Sequence, residues 1–159
     1  MKTYNLKFEQ FIDLPIHDVF SFFSKPENLS LITPSRLKFN ILTPRPIIME
    51  EGQLIDYTLT IMYCLNIRWT TLITKYSKPN IFIDQQLKGP YSLWHHTHTF
   101  KEKDGGTLIT DQVVYGVPFG VIGRLLHLIY IKHDLKSIFR YRYKILNRIF
   151  SEIKTQSGY

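Results

Sequence analysis

Apolar and polar residues alternate along most of the chain as far as Val117, and then a helical rhythm takes over almost to the end. Over 3–13, Tyr4, Leu6, Phe8 and Ile12 fall on one side and Asn5, Lys7 and Glu9 on the other, the period-two pattern of a half-buried strand. Pro15 stands where the first turn of a helix accepts proline, and Val19, Phe22 and Phe23 give a short apolar stripe. A second brief helix is predicted from Pro26 through Leu31, ended by Pro34. Strands are then predicted at 37–43, 52–62, 66–77, 81–88, 92–103 and 106–117. Their separators are Pro44 and Pro46, the corner 63–65, the turn 77–80, Gly89-Pro90 and Asp104-Gly105-Gly106. From Gly120 to about Ile153 no proline intervenes, and Val121, Leu125, Leu128, Leu135, Ile138, Ile145, Ile149 and Ile153 recur at helical spacing as one apolar face.

The order strand, two short helices, six strands, one long helix predicts an α+β fold: a seven-stranded curved antiparallel sheet whose apolar face is covered by a C-terminal rod. Some thirty residues at about 1.5 Å each give a rod of roughly 45 Å. One rod touches only part of a wide, twisted sheet. The uncovered part is a cavity unless bulky side chains fill it. At 159 residues the chain suits one domain, expected over 1–155 with a short tail at 156–159.

Composition narrows the function classes. Aromatic residues are plentiful, with 11 Phe, 10 Tyr and 2 Trp, enough to line a cavity as well as fill a core. The single cysteine, Cys64, excludes an intrachain disulfide and a cysteine-based metal cluster. The charged N-terminal stretch has no apolar core of a signal peptide, and no apolar run is long enough to span a bilayer. A soluble, cytoplasmic protein is expected. No phosphate-cradling glycine loop, dinucleotide fingerprint or serine or cysteine nucleophile motif occurs, and no cofactor is expected.

Several segments resemble the SRPBCC superfamily, which includes START lipid-transfer domains, birch-pollen-allergen-like proteins and polyketide cyclases. They are 19–24, Pro26 to Leu29, Ile32-Thr33-Pro34, Gly52 with Ile55 to Tyr57, and Asp84 to Gln86 leading to Gly89-Pro90-Tyr91. Trp94 to Phe100, and Gly105-Gly106-Thr107 with Asp111, Val113 and Tyr115, complete the set. Together they are similar to a bacterial subgroup of small ligand-binding members, also seen fused to nucleotide-sugar-epimerase-like domains. The resemblance implies the helix-grip fold and an internal ligand cavity, and no particular reaction.

The most informative chemistry lies on the last hairpin. If Asp104-Gly105 is a two-residue turn, Lys103 faces Gly106, His98 faces Asp111, His96 faces Val113 and Trp94 faces Tyr115. Trp94, His96, His98 and Phe100 then share a face with Ile109, Asp111, Val113 and Tyr115. Three readings stand: a satisfied polar network or solvent-facing patch, a polar anchor for an apolar ligand, or a metal site in which Asp111 joins the two imidazoles. Without a third histidine, no metal is expected. The expected ligand contacts are Trp69, Trp94, His96, His98, Phe100, Asp111, Val113, Tyr115, Leu128 and Leu135. An enzyme of cyclase or dehydratase type would use His96, His98 and Asp111, with Asp111 or Asp56 orienting a histidine base.

The formal charge is +7. Lys132, Lys136, Arg140, Lys144 and Arg148 recur every fourth residue along one flank of the long helix. Such a stripe suits a solvated outer face, weak contact with an anionic membrane surface, or an acidic partner. No nucleic-acid motif accompanies it, so specific nucleic-acid binding is not expected. Oligomeric state has no sequence signal. The expectation carried forward is a binder or carrier of a small hydrophobic ligand. A cyclase-like enzyme and an interaction module acting through the basic helix are the alternatives.

Overall fold

A computed structural model of the chain describes residues 2–158. Strand β1 (Thr3–Ile12) leads into helix α1 (Ile16–Phe23) and two 3-10 turns, Pro26–Ser30 and Ser35–Leu37. Then come β2 (Asn40–Ile41), β3 (Leu54–Ile61), β4 (Leu65–Ser77), β5 (Ile81–Lys88), β6 (Leu93–Lys103) and β7 (Gly106–Gly116). The chain ends in α2 (Gly120–Leu126), a π-helical turn (His127–Ile131) and α3 (Lys132–Ser157), with helical backbone at both junctions.

All seven strands form one antiparallel sheet in the order β1-β7-β6-β5-β4-β3-β2. Consecutive strands pair as a meander, and β1 closes the sheet against β7. This is the expected helix-grip α+β architecture. Asp104 and Gly105 take φ of 48° and 80°, the left-handed pair a two-residue primed turn needs. Lys103 therefore pairs with Gly106 and His98 with Asp111. Two register shifts, at Thr70/Thr71 and Ile73/Lys75, bend the long strand β4.

Two expectations shift. The strand predicted over 37–43 shrinks to Asn40–Ile41, because Ser35–Leu37 coils as a 3-10 turn and Lys38 turns left-handed at φ 44°. The long helix runs to Ser157, past the predicted end, so most of the expected tail is helical; Tyr159 lies outside the described residues.

Up to and within the π-turn the helix also buries a different face from the one predicted, whereas beyond it the predicted Leu135, Ile138, Ile145, Ile149 and Ile153 do face the interior. Val121, Leu125 and Leu128 are exposed by 76%, 60% and 61%. The π-turn inserts an extra residue into the helical repeat, so one straight periodicity cannot hold on both sides of it. Before the turn Gly123 is buried, and at its first residue His127 is; after it, Leu135, Phe139, Leu146 and Phe150 are. Phe139 stacks on Phe8 with ring centroids 4.5 Å apart, and Gln10 on β1 donates to Tyr143 O and Asn147 Oδ1 on α3. These contacts tie the rod to the β1 side of the sheet.

The interior divides accordingly. Ile12, Val19, Phe20, Phe23, Phe100, Ile109, Leu146 and Phe150 pack into one apolar cluster where α1 and α3 meet the sheet. Leu6, Trp69, Trp94, Val113, Tyr115, Leu135 and Phe139 form a second. Between the β3–β6 concavity, α3 and the 3-10 turns, a hollow remains.

Candidate functional site

The hollow is a cavity of about 200 Å³. Its floor comes from Ile55, Tyr57 and Leu59 on β3, Trp69, Thr71 and Ile73 on β4, and Phe82 on β5. Trp94 on β6, Leu135, Ile138 and Phe139 on α3, and Phe22, Leu29 and Leu37 from the segment after β1 complete the walls. The tryptophan and tyrosine rings are packed rather than loose. Trp69 meets Trp94 edge-on at 5.3 Å and stacks near Tyr57 at 5.9 Å, while Tyr91 lies 4.9 Å from Trp94. Burial pushes the Tyr57 and Tyr91 hydroxyls far up from their usual range, so both stay neutral donors.

One corner of this apolar space is ionic. Asp84, His96 and His98 all line the cavity, brought together because β5 and β6 pair Asp84 with His96. Asp111 stands behind them on β7. Asp84 Oδ2 lies 2.9 Å from His98 Nε2 and 3.4 Å from His96 Nδ1. On the opposite edges of the rings, Asp111 Oδ1 lies 3.0 Å from His96 Nε2 and 2.6 Å from His98 Nδ1. The two rings are 3.7 Å apart at their centroids. His98 is also stacked on Phe82 at 4.1 Å.

The four groups settle each other's charge. Burial alone would raise Asp111, but the His98 charge and the close contacts of both histidines hold it well below the usual carboxylate range. Asp84 is likewise lowered against the effect of burial by His96 and His98, with Arg142 adding a smaller pull. Burial would also lower His98, yet the two carboxylates raise it. His96 goes the other way, lowered by burial and by the neighbouring His98 charge. The surroundings therefore favour both carboxylates as anions and favour a proton on His98 over one on His96. Since His96 Nε2 faces Asp111, the proton of its neutral ring belongs there, and Nδ1 keeps its lone pair toward Asp84.

Of the residues singled out from the sequence, Trp69, Trp94, His96, His98 and Leu135 line the cavity. Phe100, Val113 and Tyr115 share the inward face but lie in the packed clusters where the helices cover the sheet. Asp111 supports the histidines from outside the lining. Leu128 faces solvent, displaced by the π-turn. Asp56 is also remote from the histidines: Arg68 bonds it at 2.7 Å and Thr70 at 2.5 Å, on the opposite sheet face. The sequence reading missed two residues. Asp84 was invisible because the Gly89–Ser92 connection is irregular and fixes no register. Arg142 belongs to the same basic helix as the stripe, but it lines the cavity with a buried Nε that has no hydrogen-bond partner, its guanidinium 5.0 Å from the Phe139 ring.

No family model matches the chain, and no curated protein matches it. Solved structures do. Ginseng major latex-like protein 151 from Panax ginseng superposes with a TM-score of 0.68 at 10% identity, over 93% of this chain and 97% of that one. The di-domain ARO/CYC StfQ from the steffimycin biosynthetic pathway gives 0.71 at 11% identity, over 99% of this chain and 53% of that one. A nucleoside-diphosphate sugar epimerase from Corynebacterium glutamicum gives 0.67 at 21% identity, over 96% of this chain and 30% of that one. The chain therefore has the helix-grip fold. Among the described residues no helix is long and apolar enough to cross a membrane.

Proposed function

We propose that this protein binds and carries a small apolar molecule in the sheet–helix cavity, with the molecule's polar end directed at the Asp84–His96–His98 corner. The observation that carries this reading is the cavity itself: an aromatic-walled space of about 200 Å³ with one ionic corner. An apolar cavity of about 150 Å³ in another protein holds benzene, so this one suits a ring or a small fused pair with a polar substituent. At roughly 0.5–0.7 kcal/mol per heavy atom, a ten-atom ligand would bind with a Kd of about 7–200 µM. ARO/CYC StfQ and the latex-like protein share the fold, which makes polyketide-like and other aromatic compounds the first to try.

The chain reports its own binding, because both of its tryptophans line the cavity. Titration with 2-naphthol should change the intrinsic fluorescence saturably, and Leu135→Trp, which fills the space, should abolish the change. A linear, non-saturating response in the folded wild type would end the carrier reading. The enzymatic alternative has one favourable observation, two histidines side by side at the cavity wall whose surroundings push His96 down and His98 up, the contrast a base and an acid need.

A carrier must exchange its cargo, and the outer face of the long helix fits an anionic bilayer surface. Phe119, Val121, Ile122, Leu125, Leu128 and Ile129 are all exposed, while Lys132, Arg140, Lys144 and Arg148 continue along the rod in solvent, with Lys136 half-buried among them. An apolar strip flanked by cations is the composition of an interfacial helix. Vesicles containing phosphatidylglycerol should co-float the protein, whereas pure phosphatidylcholine vesicles should not. Leu125→Asp with Leu128→Asp should release it.

A further inference from the structure

The His–Asp corner does more than supply a polar anchor. We propose that Asp84, His96 and His98 form a binding site for a divalent first-row transition metal, with open coordination positions facing the cavity. The argument begins with donors. One atom from each residue, a carboxylate oxygen and two imidazole nitrogens, lies within 4.8 Å of the other two. Asp84 Oδ2 is 2.9 Å from His98 Nε2 and 3.4 Å from His96 Nδ1. Ligand atoms held about 2.0–2.1 Å from a common ion sit about 3.0–3.4 Å apart, which both contacts of Asp84 already approach. Two histidines and one carboxylate suit zinc or ferrous iron and are poor ligands for calcium or magnesium, which prefer oxygen.

The second part of the argument is Asp111. It contacts the far nitrogen of both histidines, Nε2 of His96 at 3.0 Å and Nδ1 of His98 at 2.6 Å. A carboxylate on the far nitrogen is the arrangement that orients metal-bound imidazoles and strengthens them as donors. Every ring nitrogen of the two histidines has a carboxylate oxygen against it, and the contacts to Asp84 alone open onto the cavity. The His98 Nδ1 contact lacks in-line hydrogen-bond geometry despite its closeness.

Charge points the same way. Two carboxylates and two neutral imidazoles around a dication leave the buried group electrically neutral. Binding must then displace the proton that His98 shares with Asp84, so metal uptake releases protons. Trp94 and Phe139, the neighbours of His96, line the same cavity as the three donors. The site does not depend on the carrier reading, since it needs only these four side chains.

The test uses the full chain after chelator treatment and dialysis. Zn(II) titrated by calorimetry should bind one ion per chain with a Kd below about 1 µM, release protons, and raise Tm. Co(II) should give the visible absorption of a low-symmetry site. Asp84→Asn or His98→Gln should weaken Zn(II) by more than the roughly 10–100-fold expected of Asp111→Asn. Ca(II) should not compete. Should the variants fold poorly, the wild type still decides. In imidazole nitrogen spectra, Zn(II) should move His96 and His98 and leave His17, His95 and His133 unchanged. Absence of one-to-one binding by the folded wild type, or shifts confined to those other histidines, would overturn the assignment. Failure of naphthol binding with zinc binding intact would instead count against the carrier reading alone.

Discussion

Replacing Asp111 by asparagine in metal-free protein tests the electrostatic account of the buried corner. The residue is 7% exposed, and its Oδ1 lies 3.0 Å from His96 Nε2 and 2.6 Å from His98 Nδ1. The substitution keeps the shape and one acceptor but removes the charge that does most to raise His98 against its burial. Removing one partner of a buried ion pair costs about 3–5 kcal/mol, because the other charge stays buried without compensation. For a chain of this size that amounts to a fall in Tm of roughly 6–20 °C. The loss should depend on pH in a defined way. Asp111 is lowered in the fold, so its contribution is present above the unfolded value near 3.9 and is lost as pH falls through the lower folded value. His98 is raised, so its contribution is complete below about 6.5 and is lost as pH rises through the folded value. The gap in stability between wild type and variant should therefore be widest between about pH 4 and 6.5 and narrow on both sides. Urea unfolding monitored by tryptophan fluorescence at pH 3, 6 and 9 measures it. A difference below about 1 kcal/mol at pH 6, or one independent of pH, would refute the reasoning.

Gly123→Ala should destabilise the protein even though alanine is favoured by about 1 kcal/mol inside a helix. The added Cβ would sit 1.8 Å from Pro118 O and 3.2 Å from Val117 Cγ1, so the 117–119 loop would have to move; a higher Tm in the variant would show that it moves freely. His127 is lowered, by burial first and then by Lys132 and Lys2, while it bonds Tyr115 at 2.8 Å and stacks on Tyr4 at 3.5 Å. Folding should therefore lose stability as pH drops below about 6.5, until the folded value is passed. His127→Phe should remove that share of the slope, and identical slopes for both proteins between pH 7.5 and 5 would contradict it.

How legible this molecule is depends on where a short-range rule fixes geometry. The β6–β7 hairpin is read correctly from residues alone, because Asp104-Gly105 admits one tight turn and the turn sets every partner along the ladder, His98 opposite Asp111 included. No such rule covers Gly89 to Ser92, so Asp84, the one cavity-facing carboxylate of the corner, is not visible as a partner of His96. The long helix is legible as a helix, and its face is legible only beyond the π-turn, where Leu135, Ile138, Ile145, Ile149 and Ile153 lie inward. Val121, Leu125 and Leu128 keep perfect helical spacing with Leu135, and only the π-turn, a defect without a sequence signature here, turns them to solvent. Arg142 shows a third limit: a cation in a basic helix reads as surface, and its inward direction is decided by where the rod crosses the sheet. That a cavity should exist follows from the mismatch of one rod with seven strands; its chemistry depends on long-range pairing.

The closure of the sheet carries a consequence for synthesis. β1 has a single strand neighbour, β7, so the first strand made must wait for one of the last. Until residues 106–116 leave the ribosome, Leu6 and Phe8 have no partner and the backbone of β1 stays open on both edges. Helix α3, which clasps the same strand through Gln10, arrives later still. Contacts this distant in sequence form slowly, and unpaired edges invite association between chains. Chains that stall before β7 should therefore accumulate as aggregates rather than as partly folded intermediates.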